Sequence, residues 1–204
     1  MLEIIFEDSD LLVVNKPAGL LTTPGRFIKD CVISQVKAYR DDARVVHRLD
    51  LDTSGLIVMG CTKAGVAGLN RLFRERRITK TYEAIVAGVP KPSEHEINYP
   101  LGPDRLHRPR QKVVWRGGKR ALTRFEVREQ TELGARILVE PVTGVRHQLR
   151  CHLALVGHPI LGCDLYAPPI MARASKRLML HATRLAFEHP ISGSRLSLYA
   201  QPEF

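Results

Sequence analysis

The residues best equipped for chemistry lie in His47-Arg48-Leu49-Asp50-Leu51-Asp52-Thr53-Ser54-Gly55-Leu56, a polar stretch that runs straight into the apolar Leu56-Ile57-Val58-Met59. A carboxylate held beside an arginine stays ionised near neutral pH and can act as a nucleophile or an electrostatic stabiliser. Asp50 and Asp52 are therefore the first candidates. Their spacing admits three readings: a carboxylate pair acting on a sugar, an Asp-x-Asp metal site of a nucleotide-sugar enzyme, or a turn whose acids satisfy local backbone amides. The last is the ordinary role of aspartates before Thr-Ser-Gly. Residues two apart in extended chain point to the same side, so both carboxylates could line one cleft, but a turn need not keep that geometry. Spacing alone does not choose.

The elements that must position these acids are legible from periodicity and turn residues. Residues 4–7 and 11–16 are predicted strands of a hairpin joined by Asp8-Ser9-Asp10. Val32, Ile33 and Val36 predict a helix over 31–39, and 56–59 reads as a buried strand. After Lys63, an apolar stripe of Val66, Leu69, Leu72 and Phe73, with Arg71, Arg74, Arg76 and Arg77 mainly on other faces, predicts an amphipathic helix with a basic end. Residues 80–89 are a predicted strand carrying Tyr82. Further strands are predicted at 111–116, 122–128 and 136–142, separated by Gly117-Gly118 and Glu132-Leu133-Gly134. A helix over 147–156 stops at Gly157, and 178–187 with 196–200 form a closing pair of strands. Strands outnumber helices and are mostly consecutive. The expectation is an α+β fold, a mainly antiparallel or mixed sheet with flanking helices rather than a doubly wound parallel one.

At 204 residues and 44% hydrophobic, the chain has material for one sizeable core, read as a single catalytic domain spanning 1–204. Its 31 Lys and Arg against 21 Asp and Glu give a net charge of +10, the footprint of a polyanion binder. The basic residues gather at 71–80 and 105–124, which favours phosphate contacts over simple solubility charge. The four cysteines have no short regular spacing, and the sequence shows neither a signal peptide nor a long apolar span. A cytoplasmic protein with reduced thiols is expected, with no membrane partner. Cys151-His152 with His158 and Cys163 match no usual zinc spacing, so buried thiols are the expected role and no metal is assigned.

The whole constellation carries more than any single motif. His47-Arg48-Leu49-Asp50 followed by Thr53-Ser54-Gly55-Leu56, then Lys80-Thr81-Tyr82, then Gly144 through Arg146-His147-Gln148-Leu149-Arg150 with His152-Leu153, and finally Gly157-His158-Pro159-Ile160-Leu161-Gly162, resembles the RluA family of RNA pseudouridine synthases in content and order. The resemblance runs from Leu12-Val13-Val14-Asn15-Lys16-Pro17 through Ala200. It is nearest to the short members of that family, so no N-terminal S4-like RNA-binding domain is expected.

The resemblance implies isomerisation of uridine within RNA without cofactor, metal or energy source. Asp50 would be the essential catalytic acid, attacking ribose C1′ or the uracil or acting as a base in a glycal route, with Asp52 as support. A carboxylate suits each route because positive character at C1′ must be stabilised and a reversible covalent or proton-transfer step assisted. Tyr82 matches the tyrosine that packs on the target base, and Arg150 the arginine that pairs with the aspartate. Arg48 matches the residue that enters the RNA helix where the uridine is flipped out. His47 adjoins it in the RNA-contacting set, although His47, His147 and His152 are read first as hydrogen-bonding scaffold. One departure is Val145, which stands where the family usually has arginine, with Arg146 one place later.

Arg74, Arg76 and Arg77, and Arg108, Arg110 and Lys112, would hold backbone phosphates, while base identity is read where nucleotides are unstacked. The implied partner is RNA as a stem-loop, in 23S rRNA and the tRNA anticodon arm, met by a monomer. Two rivals remain: a catalytically silent RNA-binding protein on the same fold, and a metal-dependent glycosyltransferase using Asp50 and Asp52.

Overall fold

A computed structural model describes residues 2–204. Strands β1 (Glu3–Glu7) and β2 (Leu11–Lys16) are followed by helix α1 (Val32–Tyr39), the short β3 (Arg44–Val45), β4 (Ser54–Gly60) and helix α2 (Lys63–Glu75). Next come β5 (Thr79–Ala87), β6 (Glu94–Asn98), β7 (Leu101–Pro103), β8 (Gln111–Val113), β9 (Leu122–Thr131) and β10 (Gly134–Pro141). Helix α3 (Gln148–Leu155), the single turn α4 (Pro169–Ala172), β11 (Leu180–Glu188) and β12 (Arg195–Tyr199) complete the chain. The α+β expectation holds, with a few helices set among many strands. The described residues divide into two compact units, 2–80 with 181–203 and 81–180 with Phe204.

In the first unit β2 pairs antiparallel with both β1 and β4, β3 joins β4, and β12 joins β11. β11 pairs parallel with β4, through His181 opposite Ser54 and Ala182 opposite Gly55. Every residue of β4 is buried, as its unbroken apolar run requires of a strand covered on both faces. Gly55 sits at φ +111°, and a Cβ there would lie 2.4 Å from the Ala182 carbonyl oxygen, so only glycine lets the two backbones approach this closely. Helix α2 starts at Thr62, whose side chain accepts the Gly65 N–H, and buries Leu69 and Leu72 against Leu11, Val13, Leu56 and Val58.

In the second unit β10 lies between β5 and β9, and β6 pairs with β9, all antiparallel. Helix α3 lays Leu149 and Leu153 into a core with Ala84, Val86, Ile137 and Val139. β7 and β8 form a separate two-stranded ribbon. β3, β7 and α4 were not anticipated, and two further departures from the sequence reading have a clear physical cause. The strand expected over 111–116 ends at Val113, because the chain turns at 115–117 and returns Lys119 to Leu101 with reciprocal N–H to carbonyl bonds of 2.9 and 2.8 Å. β6 was not anticipated, since Glu94, His95 and Glu96 disfavour a strand; they are tolerated at the end of the strand order, where exposed charge also discourages stray edge pairing.

Candidate active site

The acid at the centre of the reading lies in a segment fastened on both sides. Leu49, the residue before Asp50, is buried, donates its N–H to Thr22 Oγ1 at 3.2 Å and accepts the Thr22 hydroxyl on its carbonyl at 3.0 Å. Leu51, the residue after, offers its carbonyl to the Gly19 N–H at 3.0 Å and to Lys16 Nζ at 2.8 Å. The Lys16 ammonium is wholly buried and also donates to the carbonyls of Pro17 and Leu20 at 2.8 and 2.7 Å. Three donors thus meet three oxygens, as a buried ammonium must. Asp50 itself is half-buried, and its carbonyl takes the Thr53 N–H at 3.3 Å to close the turn. The exit is held as well. His181 Nε2 lies 3.1 Å from the Ala200 carbonyl, which can only accept, so Nδ1 receives the Ser54 hydroxyl at 2.8 Å.

His47 is committed to scaffold. Its Nε2 accepts the Val58 N–H at 3.0 Å and its ring lies 4.7 Å from that of Phe73. The residue as a whole is half-buried, but the ring is enclosed; desolvation first, and the Lys80 charge second, push its pKa down to about 3. Lys80 is lowered in turn by burial and then by Arg76. Arg48 and Asp52 lie in the same segment, Arg48 exposed and Asp52 half-buried. At the end of α2, Arg74, Arg76 and Arg77 are exposed together, with Arg77 paired to Glu188 at 3.1 Å. Cations at a helix C-terminus also suit the helix dipole.

In the second unit a neutral network sets the start of α3. Gln148 Oε1 accepts the Thr143 hydroxyl at 2.8 Å and the Val145 N–H at 3.0 Å, while its Nε2 donates to the Leu122 carbonyl at 2.9 Å and Thr123 Oγ1 at 3.0 Å. Both amide ends are satisfied, which fixes the side chain's orientation. His152 Nε2 donates to the Tyr99 carbonyl at 3.0 Å, so its Nδ1 accepts from Thr123 at 2.9 Å; burial lowers its pKa, outweighing the Tyr99 bond. Val145 packs with the buried Leu101, Ala121 and Cys151, whereas Arg146 is exposed. That apolar packing is what a valine contributes at this position.

Arg150, on this helix, is 3% exposed. Its Nη2 donates to Asp164 Oδ1 at 2.7 Å, its Nε points at Cys163 Sγ at 3.4 Å, and its guanidinium carbon stands 5.8 Å from the Tyr166 ring centre. Asp164 and Tyr166 escaped the sequence reading because no short spacing links them to Arg150. The Tyr166 hydroxyl lies 2.9 Å from His147 Nδ1 and accepts the Gln111 N–H at 2.7 Å; burial pushes its pKa up to about 12. Tyr82 is half-buried on β5, opposite Val139, with part of its ring against the core. Arg108 and Arg110 are exposed, and Lys112 pairs with Asp104 at 3.4 Å. Among the described residues no three His, Cys, Asp or Glu side chains gather as metal ligands, and no helix is long and apolar enough to cross a membrane.

A family model described as RNA pseudouridylate synthase matches residues 10–155. The chain belongs to the RNA pseudouridylate synthase family. It is 44% identical to the dual-specificity RNA pseudouridine synthase RluA of Escherichia coli (strain K12), covering 100% of this chain and 94% of that protein. Against the protein of the same name from Vibrio cholerae the identity is 41%, over 100% of this chain and 84% of the relative. Among solved structures, Human RNA Pseudouridylate Synthase Domain Containing 1 superposes with a TM-score of 0.86 at 28% identity, covering 100% of this chain and 84% of that one. The activity of this synthase is isomerisation of uridine to pseudouridine in RNA. The catalytically silent alternative finds no support among relatives that carry the enzyme's name.

Proposed function

We propose that this synthase acts on uridines in RNA stem-loops, in 23S rRNA, the tRNA anticodon arm or both, with Asp50, Tyr82 and Arg150 as its catalytic set. The reaction conserves every atom: the N1–C1′ bond breaks, the uracil turns, the C5–C1′ bond forms, the C5 proton leaves and N1 gains one. Asp50 supplies the carboxylate that stabilises or captures C1′ or the base, Tyr82 packs on the uracil, and Arg150 supplies the cation that orients the acid. Arg48 enters the RNA where the uridine is flipped out. His47 supports Arg48 from within the fold, and Arg74, Arg76, Arg77, Arg108, Arg110 and Lys112 hold phosphates. Residues 1–204 work as one catalytic domain, in a cytoplasmic monomer that needs no cofactor.

The observation that carries this reading is the fastening of Leu49 and Leu51 on either side of a half-buried Asp50. Such anchoring pre-organises one carboxylate at little entropic cost during turnover. The dual substrate range draws its support from the full-length similarity to proteins named dual-specificity. The test uses purified protein, EDTA and transcripts of a 23S hairpin and an anticodon stem-loop, with pseudouridine read by mass spectrometry. Product is expected in at least one RNA, and Asp50→Asn should abolish it while RNA affinity stays within about threefold. Product from Asp50→Asn, or loss of native activity with EDTA, would refute the assignment.

A further inference from the structure

Residues 99–121 hold seven Lys or Arg against a single acid, Asp104. The inner side of this segment is firmly attached. Tyr99 is tied to His152 through its carbonyl, Gln111 to Tyr166 through its N–H, and Leu101 is buried with Ala121 and Cys151. The ribbon is therefore anchored to the helix that carries Arg150.

Its outer side is different. Trp115, the chain's only tryptophan, stands at the tip of the 115–117 turn with 72% of its surface in water. Its ring meets Tyr99 edge-on, with centres 5.8 Å apart and planes at 75°. The tip is tightly folded: Gly117 adopts φ +84°, a Cβ at Gly118 would fall 2.1 Å from the Val114 carbonyl oxygen, and the Val114 N–H is bonded to the Pro100 carbonyl at 2.9 Å. Leu106, 84% exposed, lies in the loop between β7 and β8, at the other end of the ribbon. A large aromatic exposed to water in a basic segment, followed in sequence by Arg116, Lys119 and Arg120, is the arrangement on which an unpaired base stacks while its phosphates are neutralised. Because the turn is already ordered, stacking costs little further entropy.

We propose that Trp115 is a stacking platform for an unpaired base of the RNA other than the modified uridine, making the β7–β8 ribbon a substrate-docking element. The proposal rests on the RNA-isomerase reading above. A second copy of the chain is the weaker occupant, since seven cations would face another basic surface.

Steady-state kinetics and tryptophan fluorescence test it, using native protein, Trp115→Ala and Trp115→Phe. The probes are a stem-loop RNA with an unpaired loop and a fully paired duplex of the same composition. The stem-loop should quench the single tryptophan of the native protein and the duplex should not. Trp115→Ala should raise KM for the stem-loop roughly 5- to 100-fold while changing kcat less than about twofold, and Trp115→Phe should restore KM to within about threefold. Equal quenching by both RNAs, an unchanged KM in Trp115→Ala, or a native dimer in sedimentation that Trp115→Ala dissolves would overturn it. A native enzyme active on stem-loops with KM unmoved in Trp115→Ala defeats this inference alone. A native enzyme that makes no pseudouridine in any stem-loop defeats the underlying reading.

Discussion

The segments carrying Asp50 and Arg150 are both held from within the fold, but by different means. The Asp50 turn depends on one buried ammonium, Lys16, reaching three carbonyls, with Thr22 clasping Leu49. The start of α3 depends on neutral groups, Gln148 with Thr143 and Thr123, each of which has other partners. A buried charge concentrates the cost of its loss in one place, because every oxygen it served loses a donor at once. A neutral network spreads that cost and leaves some bonds intact. The acid's support should therefore be the more brittle of the two.

The strongest way to break this contrast is Lys16→Met, which keeps the length but not the charge. It should lower unfolding stability by about 3 to 5 kcal/mol in urea titration and depress turnover as well, since the Leu51 carbonyl loses a donor. Gln148→Leu should cost less, about 2 to 3 kcal/mol in the same titration; a larger loss than Lys16→Met would invert the ranking. Acid sharpens the contrast from another side. His47 is neutral when folded, with a pKa near 3, and takes up a proton near its ordinary value of 6.5 when unfolded. Its stabilising contribution is complete above that ordinary value and is lost progressively as pH falls toward about 3. Between about pH 7 and about pH 5 the loss should be about 1 to 2 kcal/mol, and His47→Gln should flatten the midpoint-versus-pH curve. The smallest effect belongs to Asp164→Asn. Although Asp164 pairs with Arg150, its side chain is 67% exposed, so under about 1 kcal/mol of stability is at stake, measured by thermal melting.

Legibility in the sequence followed physical range. β1, β2 and α2 were readable because alternation, the Asp8-Ser9-Asp10 turn and an apolar stripe are local signals. Asp50, Tyr82 and Arg150 stood out through ordered motif blocks. Lys16 did not stand out, because a lysine beside Asn15 and Pro17 reads as the polar end of a strand; its burial depends on a carbonyl from Leu51, 35 residues away. Asp164 lies 14 residues past Arg150 with no periodicity joining them. The parallel contact of β11 with β4 was equally hidden, since no local pattern records a partner 127 residues distant.

That distant contact bears on when the enzyme comes into being. Translation delivers the 47–55 segment well before Ala182, His181 and the Ala200 carbonyl, the groups that complete its exit. A nascent chain stalled before residue 180 would carry Asp50 in an unfinished setting, so competence to modify RNA should arrive only once β11 and β12 have left the ribosome.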